Sequence, residues 1–334
     1  MSASRSVAHC LQQFALRNSK FDIAMMAFLF PGQGSQSVGM GYELFEQHPE
    51  ARARFEAAND LLDDVDLLTF MFGLDSSVAE PAERLKQTAI TQPALYTHSL
   101  AAAAVLEAKG VQPDQAAGHS LGEYSALAAV GALSFEDGLR VVRRRGELMA
   151  KAGEQRPGAM AAIMGADDEE VEAACTAVSD EGEGVVQTAN YNAPGQIVIS
   201  GDEAAVEKAT ARIKGRAIPL PVSGAFHSPL MEYAREGLRE VLEAVTINEP
   251  ECPVYLNVTA EPTVDPDEIR QRLMEQLLSP VRWAQTLRRM HADGADRFIE
   301  VGAGNVLRGL VGRTLDDVET AGAGTPDEIE ALVG

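Results

Sequence analysis

The sequence is poor in cysteine and contains no long apolar run. Its three cysteines lie far apart, at positions 10, 175 and 252, and this odd, scattered set predicts neither a disulfide framework nor a zinc or redox pair. The longest apolar stretch, Ser125 to Leu133, is too short to cross a bilayer. We therefore expect a reducing, cytoplasmic setting, no metal and no membrane anchor.

Positive charge is also scarce. Of 334 residues, 50 are acidic and 28 are basic, and the formal net charge is −22. Because nucleic-acid binding requires a basic face that displaces counterions, the net charge argues against nucleic acid as a partner, and we expect none. Only six of the basic residues are lysines. Two explanations stay open: adaptation to high salt, which screens such self-repulsion, or ordinary acidity combined with arginine-rich codon usage.

The first 24 residues lack the apolar core of a secretory signal. They carry three basic residues against the single acid Asp22, and Met25-Met26 follows directly before the first predicted strand. We expect residues 1–24 to be a disordered extension or the product of an upstream start codon. A transit peptide is the alternative.

Short apolar strands alternate with helices along the rest of the chain. A strand at 27–30 runs into a loop that contains Gly32 and Gly34, and helical periodicity follows from about 42 to 62. This loop completes neither a dinucleotide fingerprint nor a P-loop, which argues against a nucleotide site. Further helices around a short buried strand at 115–117 predict an open α/β architecture.

A different pattern begins near residue 154. Strands and helices there follow the order βαββαβ, which is that of a ferredoxin-like unit. The sequence therefore predicts a large α/β-hydrolase-like subdomain with a mostly parallel sheet and a small ferredoxin-like subdomain inserted in it. The expected boundaries are 25–153 and 223–318 for the large subdomain, 154–222 for the small one, and 319–334 for an acidic tail.

The segment Gly118-His119-Ser120-Leu121-Gly122 carries the strongest chemical signal. It matches G-x-S-x-G between an apolar strand and a helix, which is the context of a nucleophile elbow. The glycines permit a tight turn that exposes the Ser120 hydroxyl, and the following helix directs its N-terminal amides at the reacting oxygen. We predict that Ser120 is a nucleophile. The alternative is a serine that only caps the helix.

A serine hydroxyl needs a base near neutral pH. Five of the six histidines are weaker candidates, because they lie in the extension, on an expected surface loop, in amphipathic helices with an expected solvated role, or beside the serine but pointing elsewhere: His9, His48, His98, His291 and His119. His227 lies in a loop between the insertion and the next helix, where a site between two subdomains would form. We predict that His227 is the base, with a capping or core histidine as the alternative.

Arg145 occupies the centre of an apolar helix face. On a helical wheel, five small or apolar residues fall within about 60° of it, whereas the neighbouring arginines point away. Burial of an unpaired guanidinium costs several kcal/mol, so a partner is required. Two partners stay open: an acid of this chain in a structural salt bridge, or a substrate carboxylate in a bidentate clamp. The second would suit a dicarboxylic acyl group on Ser120.

These motifs together resemble the malonyl-CoA:acyl carrier protein transacylase family and the related acyltransferase domains of fatty-acid and polyketide synthases. The similarity runs from about Met26 to Arg313. The matching segments are Phe30-Pro31-Gly32-Gln33-Gly34-Ser35-Gln36, Thr91-Gln92-Pro93-Ala94, Gly118-His119-Ser120-Leu121-Gly122-Glu123, Arg145-Gly146, Tyr191-Asn192-Ala193-Pro194-Gly195-Gln196, Phe226-His227-Ser228 and Ser279-Pro280-Val281-Arg282-Trp283.

The resemblance implies a ping-pong transfer of a malonyl group from coenzyme A to the phosphopantetheine thiol of acyl carrier protein, in fatty-acid synthesis. It implies that Ser120 is acylated, that His227 takes its proton, and that a main-chain carbonyl near Gln276 orients the histidine in place of a triad acid. The other implied roles are an oxyanion hole from the amides of Gln33 and Leu121, a carboxylate ligand in Arg145, a pocket shaped by Gln92 and Asn192, and exclusion of a methyl branch by Phe226. No metal and no tightly bound cofactor are implied, and we expect a monomer.

The departures from the family pattern are few. Ala193 and Ala303 stand where asparagine and proline are expected, and Asn305 stands where a basic residue is common. Only Asn305 bears on function, through affinity for the carrier. Because the chain is as acidic as such carriers typically are, docking requires a local basic patch. The candidates are Arg140, Arg143, Arg144, Arg282, Arg288 and Arg289.

Two other functions are compatible with parts of the pattern. A serine hydrolase of the esterase or lipase type would share the elbow, but it has no use for a buried cation such as Arg145 in its acyl pocket. A scaffold that binds carrier protein without turnover would need neither the nucleophile nor the base. Both readings are therefore less favoured than acyl transfer.

Overall fold

The computed structural model describes residues 25–73, 81–222 and 224–334. The predicted extension, residues 1–24, lies outside the described residues. Across the described ranges, no helix combines the length and apolarity that a bilayer crossing demands.

The described residues form ten strands and fourteen α-helices. The strands are β1 (Met25–Phe30), β2 (Gln115–Gly118), β3 (Ala159–Met164), β4 (Val186–Ala193), β5 (Gln196–Gly201), β6 (Arg216–Pro219), β7 (Val254–Tyr255), β8 (Pro262–Thr263), β9 (Ala295–Glu300) and β10 (Glu319–Gly322). The helices are α1 (Tyr42–Gln47), α2 (Pro49–Leu61), α3 (Leu67–Phe72), α4 (Pro81–Lys86), α5 (Thr88–Ala108), α6 (Gly122–Ala129), α7 (Phe135–Gln155), α8 (Asp168–Asp180), α9 (Glu203–Arg212), α10 (Glu232–Ala244), α11 (Pro266–Gln276), α12 (Trp283–Ala292), α13 (Val306–Thr314) and α14 (Pro326–Val333). The chain is thus a mixed α/β protein.

A mostly parallel six-stranded sheet organises the larger part of the molecule. Its order is β10–β9–β1–β2–β7–β8, and all neighbours are parallel except β7 and β8. The last four residues of β1 are buried on both faces, as expected for a strand covered by helices on either side. Because Phe30 pairs with Gly118 at the carboxyl ends of β1 and β2, the loops that carry Gln33 and Ser120 start side by side.

Two helices of 21 residues, α5 and α7, cross at positions where α7 carries glycine and so has no side chain. A Cβ on Gly138 would lie 2.1 Å from the Tyr96 hydroxyl oxygen, and a Cβ on Gly146 would lie 2.7 Å from the Thr88 carbonyl oxygen. Only glycine at these positions lets the two backbones approach so closely. The close crossing brings Arg145 towards the elbow.

Helix α5 starts at Thr88 and therefore contains Pro93 in its interior. Proline in a helix lacks the N–H that would bond to the carbonyl four residues earlier, here that of Ala89. Arg143 on α7 donates to this carbonyl oxygen from a distance of 3.0 Å. A side chain from the neighbouring helix therefore satisfies the acceptor that Pro93 leaves open.

A separate four-stranded sheet is antiparallel throughout. Its elements follow the chain order β3–α8–β4–β5–α9–β6, and the strands lie in the order β4–β5–β3–β6. Helices α8 and α9 cover one face and enclose a small core of their own. Strand β4 contacts the larger part of the molecule at the segment between α11 and α12: the amide of Tyr191 donates to the carbonyl oxygen of Val281 at 2.9 Å, and the amide of Val281 donates to that of Ala189 at 2.8 Å.

Three expectations from the sequence are wrong. The segment 319–334 is not an unpatterned acidic tail: β10 joins the sheet beside β9, and α14 packs through the buried Ile329. His98 is not solvated; it is buried, and its Nε2 lies 3.0 Å from the Gly324 carbonyl oxygen of that same segment. The helix expected over 42–62 is two helices, because Pro49 cannot continue α1.

Candidate active site

The nucleophile elbow is built from the end of β2 and the start of α6. Ser120 has φ 52°, in the left-handed region that costs a residue with a side chain about 1–3 kcal/mol. Two glycines make the turn possible: a Cβ on Gly118 would lie 1.9 Å from the backbone of Gly122, and one on Gly122 would lie 2.0 Å from the Phe30 carbonyl oxygen. The strain raises the Ser120 side chain into a cavity at the carboxyl edge of the sheet.

His227 lies directly against Ser120. Its Nε2 is 2.8 Å from Ser120 Oγ, and its Nδ1 is 2.9 Å and 3.2 Å from the carbonyl oxygens of Gln276 and Ser279. Carbonyl oxygens only accept hydrogen bonds, so Nδ1 carries the ring proton and Nε2 is left to accept from the serine hydroxyl. Burial, followed by the charge of Arg145, lowers the pKa of His227 to about 3. The imidazole is therefore neutral at physiological pH, as a general base must be.

Arg145 reaches the same serine from α7. Its side chain is 1% exposed. Its Nη2 donates to Ser120 Oγ at 3.0 Å and to Gln276 Oε1 at 2.9 Å, and its Nη1 donates to Gln92 Oε1 at 3.0 Å. Among the described residues no carboxylate forms an ion pair with Arg145, so the structural salt bridge is not the arrangement seen.

Gln276 contacts all three parts of this site. Besides accepting from His227 through its main chain and from Arg145 through Oε1, it donates from Nε2 to the Ser120 carbonyl oxygen at 3.0 Å. The family resemblance implied only the main-chain contact. A glutamine at the end of a helix gives no sequence signal for the other two.

The cavity above Ser120 has a volume of about 120 Å³ and a mostly apolar wall. Leu121, Met149, Met160, Leu220, Val222 and Phe226 form that wall, and Gln33, His119, Ser120, Arg145, Asn190 and His227 supply the polar groups. The backbone amides of Gln33 and Leu121 make no hydrogen bond to any described residue. The loop that carries Gln33 can pack this close to the elbow because residue 32 is glycine: a Cβ there would lie 2.4 Å from the His119 carbonyl oxygen.

Gln92 and Asn192, both expected to shape the pocket, lie behind it. Gln92 holds the Arg145 guanidinium through Oε1, and its Nε2 lies 3.2 Å from the sulfur of Met149. Asn192 Oδ1 lies 2.8 Å from His119 Nε2. The residue of β4 that lines the cavity is Asn190, two positions earlier, which the sequence pattern did not single out.

Sequence reasoning also missed Asn257 and Glu123. Asn257 bonds to the elbow, and Glu123 is a fully buried acid on α6 whose pKa is raised by burial to about 7. A polar residue directly after the apolar run Val254-Tyr255-Leu256 was the available signal for Asn257. No cluster of metal-ligating side chains occurs in the described ranges.

The predicted basic patch is largely neutralised by the chain's own acids. Arg140, Arg143 and Arg144 pair with acids on or near α7, and Arg289 pairs with two acids near α12. The Arg282 guanidinium lies 5.8 Å from the centre of the Tyr191 ring. A carrier surface at these residues would have to exchange existing ion pairs for new ones.

An elbow serine, a neutral histidine and a buried cation that line one cavity are suited to acyl transfer through a serine ester. The model of the acyl transferase domain family matches residues 27–329, and the chain belongs to this family.

Within this family, the chain is similar to proteins named as malonyl transacylases. The malonyl CoA-acyl carrier protein transacylase of Bacillus subtilis strain 168 is 46% identical over 315 residues, which cover 93% of this chain and 97% of that protein. The solved acyl-carrier-protein-S-malonyltransferase from Bartonella henselae is 41% identical, with a TM-score of 0.85 over 92% of this chain and 98% of that one. A type II PKS malonyl-transacylase, solved in complex with its acyl-carrier protein, is 36% identical with a TM-score of 0.85 over 93% and 99%.

Proposed function

We propose that the chain transfers a malonyl group from malonyl-CoA to the phosphopantetheine thiol of an acyl carrier protein, through a malonyl ester on Ser120. The observation that carries this proposal is the Arg145 guanidinium, buried and 3.0 Å from Ser120 Oγ. An acyl group attached to this oxygen and ending in a carboxylate would place that carboxylate beside the cation. The names of the relatives point to the same acyl group.

The first half-reaction forms the ester. His227 Nε2 takes the Ser120 proton as Oγ attacks the thioester carbonyl, and the same proton leaves with the coenzyme A sulfur. The Gln276 carbonyl holds the imidazole in the required tautomer, where a triad would use an acid. In the second half-reaction the carrier thiol attacks the ester by the reverse path. No metal and no tightly bound cofactor takes part in this scheme.

The oxyanion of each tetrahedral intermediate would be stabilised by the amides of Gln33 and Leu121. Two observations support this role of the amides: Gln33 and Leu121 both line the cavity around Ser120, and neither backbone amide bonds to another described residue. An amide of this kind contributes most when it points at the developing charge inside a site that excludes water.

The apolar wall would set the size of the acyl group. Phe226 is 7% exposed and lines the cavity with Met149 and Met160. A methyl branch on the malonyl group would have to displace one of these side chains, so we propose that malonyl is accepted in preference to methylmalonyl. Gln92 and Asn192 then act indirectly, through Arg145 and His119.

The two proposed subdomains contribute different residues to the site. We propose that 25–153 and 223–318, with the segment 319–334 that joins the same sheet, form an α/β-hydrolase-like subdomain that carries the nucleophile, the base and the cation. We propose that 154–222 form a ferredoxin-like subdomain that lines the cavity with Met160 and Asn190. The cysteine pattern supports a reducing, cytoplasmic setting. We further propose that the enzyme acts as a monomer and that its macromolecular partner is the carrier.

Intact-mass measurement tests the proposal directly. The purified chain is incubated with malonyl-CoA, with and without holo carrier protein. We expect one malonyl adduct on wild type, none on Ser120→Ala, and loss of the adduct with malonyl appearing on the carrier when carrier is added. An adduct that disappears equally fast into water would show a hydrolase, and an adduct retained by Ser120→Ala would exclude Ser120 as the nucleophile.

A further inference from the structure

Asn257 bonds to the backbone on both sides of His119, the residue before the proposed nucleophile. Its Oδ1 accepts from the Ser120 amide at 2.7 Å, and its Nδ2 donates to the Gly118 carbonyl oxygen at 2.7 Å. The residue is fully buried. Both polar ends of the carboxamide are therefore committed to the elbow.

These two bonds continue the pairing between β2 and β7. Val254 and Tyr255 of β7 lie opposite Ala116 and Ala117 of β2. In a parallel ladder, one residue donates to the carbonyl before its partner and accepts from the amide after it. The Asn257 carboxamide makes this same pair of bonds across His119, so a side chain supplies the next rung where the strand bends into the elbow.

The backbone of Asn257 is fixed as well. Its amide donates to Glu123 Oε2 at 2.7 Å, and its carbonyl oxygen accepts from the Arg282 amide at 3.0 Å. Glu123 lies in the first turn of α6, directly after the elbow. Asn257 thus connects the end of β2, the turn and the start of the helix.

We infer that Asn257 is the positioning residue for the nucleophile. It holds Ser120 in the left-handed conformation that directs Oγ at His227 Nε2, and it occupies the Ser120 amide, so that of the two amides at the turn only that of Leu121 is left for an oxyanion. This inference rests on the proposed role of Ser120 as the attacking residue.

Two substitutions test it. Asn257→Ala removes both bonds, whereas Asn257→Asp keeps the size and the acceptor but turns a carboxylate oxygen towards the Gly118 carbonyl. In single-turnover assays with malonyl-CoA we expect acylation to slow about 100-fold for Asn257→Ala, the usual effect of an ångström-scale displacement, and about tenfold or more for Asn257→Asp. The KM for malonyl-CoA should stay within about twofold of wild type, since no substrate contact is lost.

A small fluorophosphonate separates this inference from the malonyl assignment. The reagent reacts with an activated serine and has no malonyl group, so both variants should slow its reaction with Ser120 by the factors seen for malonyl-CoA. If wild type reacted with the fluorophosphonate but not with malonyl-CoA, the malonyl assignment would fail while the effect of Asn257 could still be measured.

Tyr255→Phe is the matched control. Tyr255 lies two residues before Asn257, and the substitution removes the 2.9 Å hydrogen bond from its hydroxyl to Asp293, which is not part of the elbow. We expect it to lower the melting temperature without slowing either reaction. Acylation of Asn257→Ala within threefold of wild type, an effect confined to KM, or equal slowing by Tyr255→Phe would each overturn the inference.

Discussion

At the scale of single residues, the site is organised around a buried cation, Arg145, that forms no ion pair with an acid among the described residues. Neutral oxygens of Gln92, Gln276 and Ser120 satisfy N–H groups of Arg145. These contacts leave Arg145 Nε without a hydrogen-bond partner, and the buried Glu123 attracts the guanidinium without forming an ion pair with it. A ligand carboxylate therefore gains an attraction that a neutral acyl group does not.

Arg145→Ala is expected to change acyl selectivity more than serine reactivity. The loss of charge-assisted hydrogen bonds, worth about 1.5–3 kcal/mol, should lower kcat/KM for malonyl-CoA about 10- to 100-fold. The value for acetyl-CoA should fall much less, or rise. Arg144→Ala is the control, because that side chain is half exposed on the same helix and pairs with Glu147. An equal loss for both acyl groups would make Arg145 a structural residue.

The pH profile of acylation should report the unusual state of His227. Its pKa is lowered from 6.5 to about 3, so the neutral imidazole persists far below pH 6.5, and log kcat/KM should stay flat there. The same pKa shift should make the folding stability fall at acid pH, although the base itself stays active there. The unfolded state takes up a proton between the two pKa values, so stability declines as pH falls below 6.5. Circular dichroism at each pH separates unfolding from loss of the base, and an acid limb at 6.5 in folded enzyme would contradict the assignment.

At the scale of elements, the crossing of α5 and α7 brings the cation to the nucleophile. Gly146 follows Arg145 directly and lies against the first turn of α5. The same closeness orients the Gln92 amide towards Arg145. A residue that reads as a helix-weakening glycine in the sequence is thus a requirement of the packing.

Gly146→Ala is expected to destabilise the fold despite the better helix propensity of alanine. The new Cβ would lie 2.7 Å from the Thr88 carbonyl oxygen and 2.9 Å from the Ala89 Cα, so backbone must move. We expect a loss of about 1–3 kcal/mol in the free energy of unfolding. Gly312→Ala on α13 has open space around it and should instead stabilise by up to about 1 kcal/mol. Urea titration of both variants checks the prediction. Changes of the same sign in the free energy of unfolding of the two variants would refute it.

The elements could be predicted from the sequence wherever local pattern decides them. The strand and loop around Gly32 and the order of elements between β3 and β6 follow from periodicity and turn residues. The segment 319–334 could not be predicted, because Glu-Thr-Ala-Gly has no strand pattern and β10 exists only through its pairing with β9. His98 was misjudged for the same reason, since its acceptor is contributed from 226 residues away.

The site shows a similar division. Ser120, His227 and Arg145 could be proposed from the elbow motif, from elimination and from a helical wheel, since each signal is local. Asn257 and the Gln276 side chain gave no comparable signal, because their roles consist of contacts with residues more than 100 positions away. The combination of a motif and a fold is needed to find them.

At the scale of the whole molecule, the net charge of −22 sets the response to salt. The ion pairs of the described residues are mostly exposed and local, such as Lys86 with Glu83 and Arg140 with Asp137. Exposed pairs contribute little, about 0–1 kcal/mol each. Repulsion among the excess acids is therefore the larger salt-dependent contribution to stability.

If the composition reflects high-salt adaptation, the melting temperature should rise as NaCl is added up to about 1 M, where the screening length is about 3 Å, and activity should persist. The double variant Glu240→Lys and Glu243→Lys, on the exposed side of α10, should show a weaker rise because it carries less excess charge. A monotonic loss of stability and activity with salt would leave arginine-rich codon usage as the explanation.

The pair of hydrogen bonds between β4 and Val281 makes the two edges of the small sheet unequal. The β4 edge is anchored to the larger part of the molecule, whereas all four residues of β6, at the opposite edge, are exposed. If the small sheet moves relative to the larger part of the molecule, we therefore expect its β4 edge to move least, because two main-chain hydrogen bonds hold that edge to Val281.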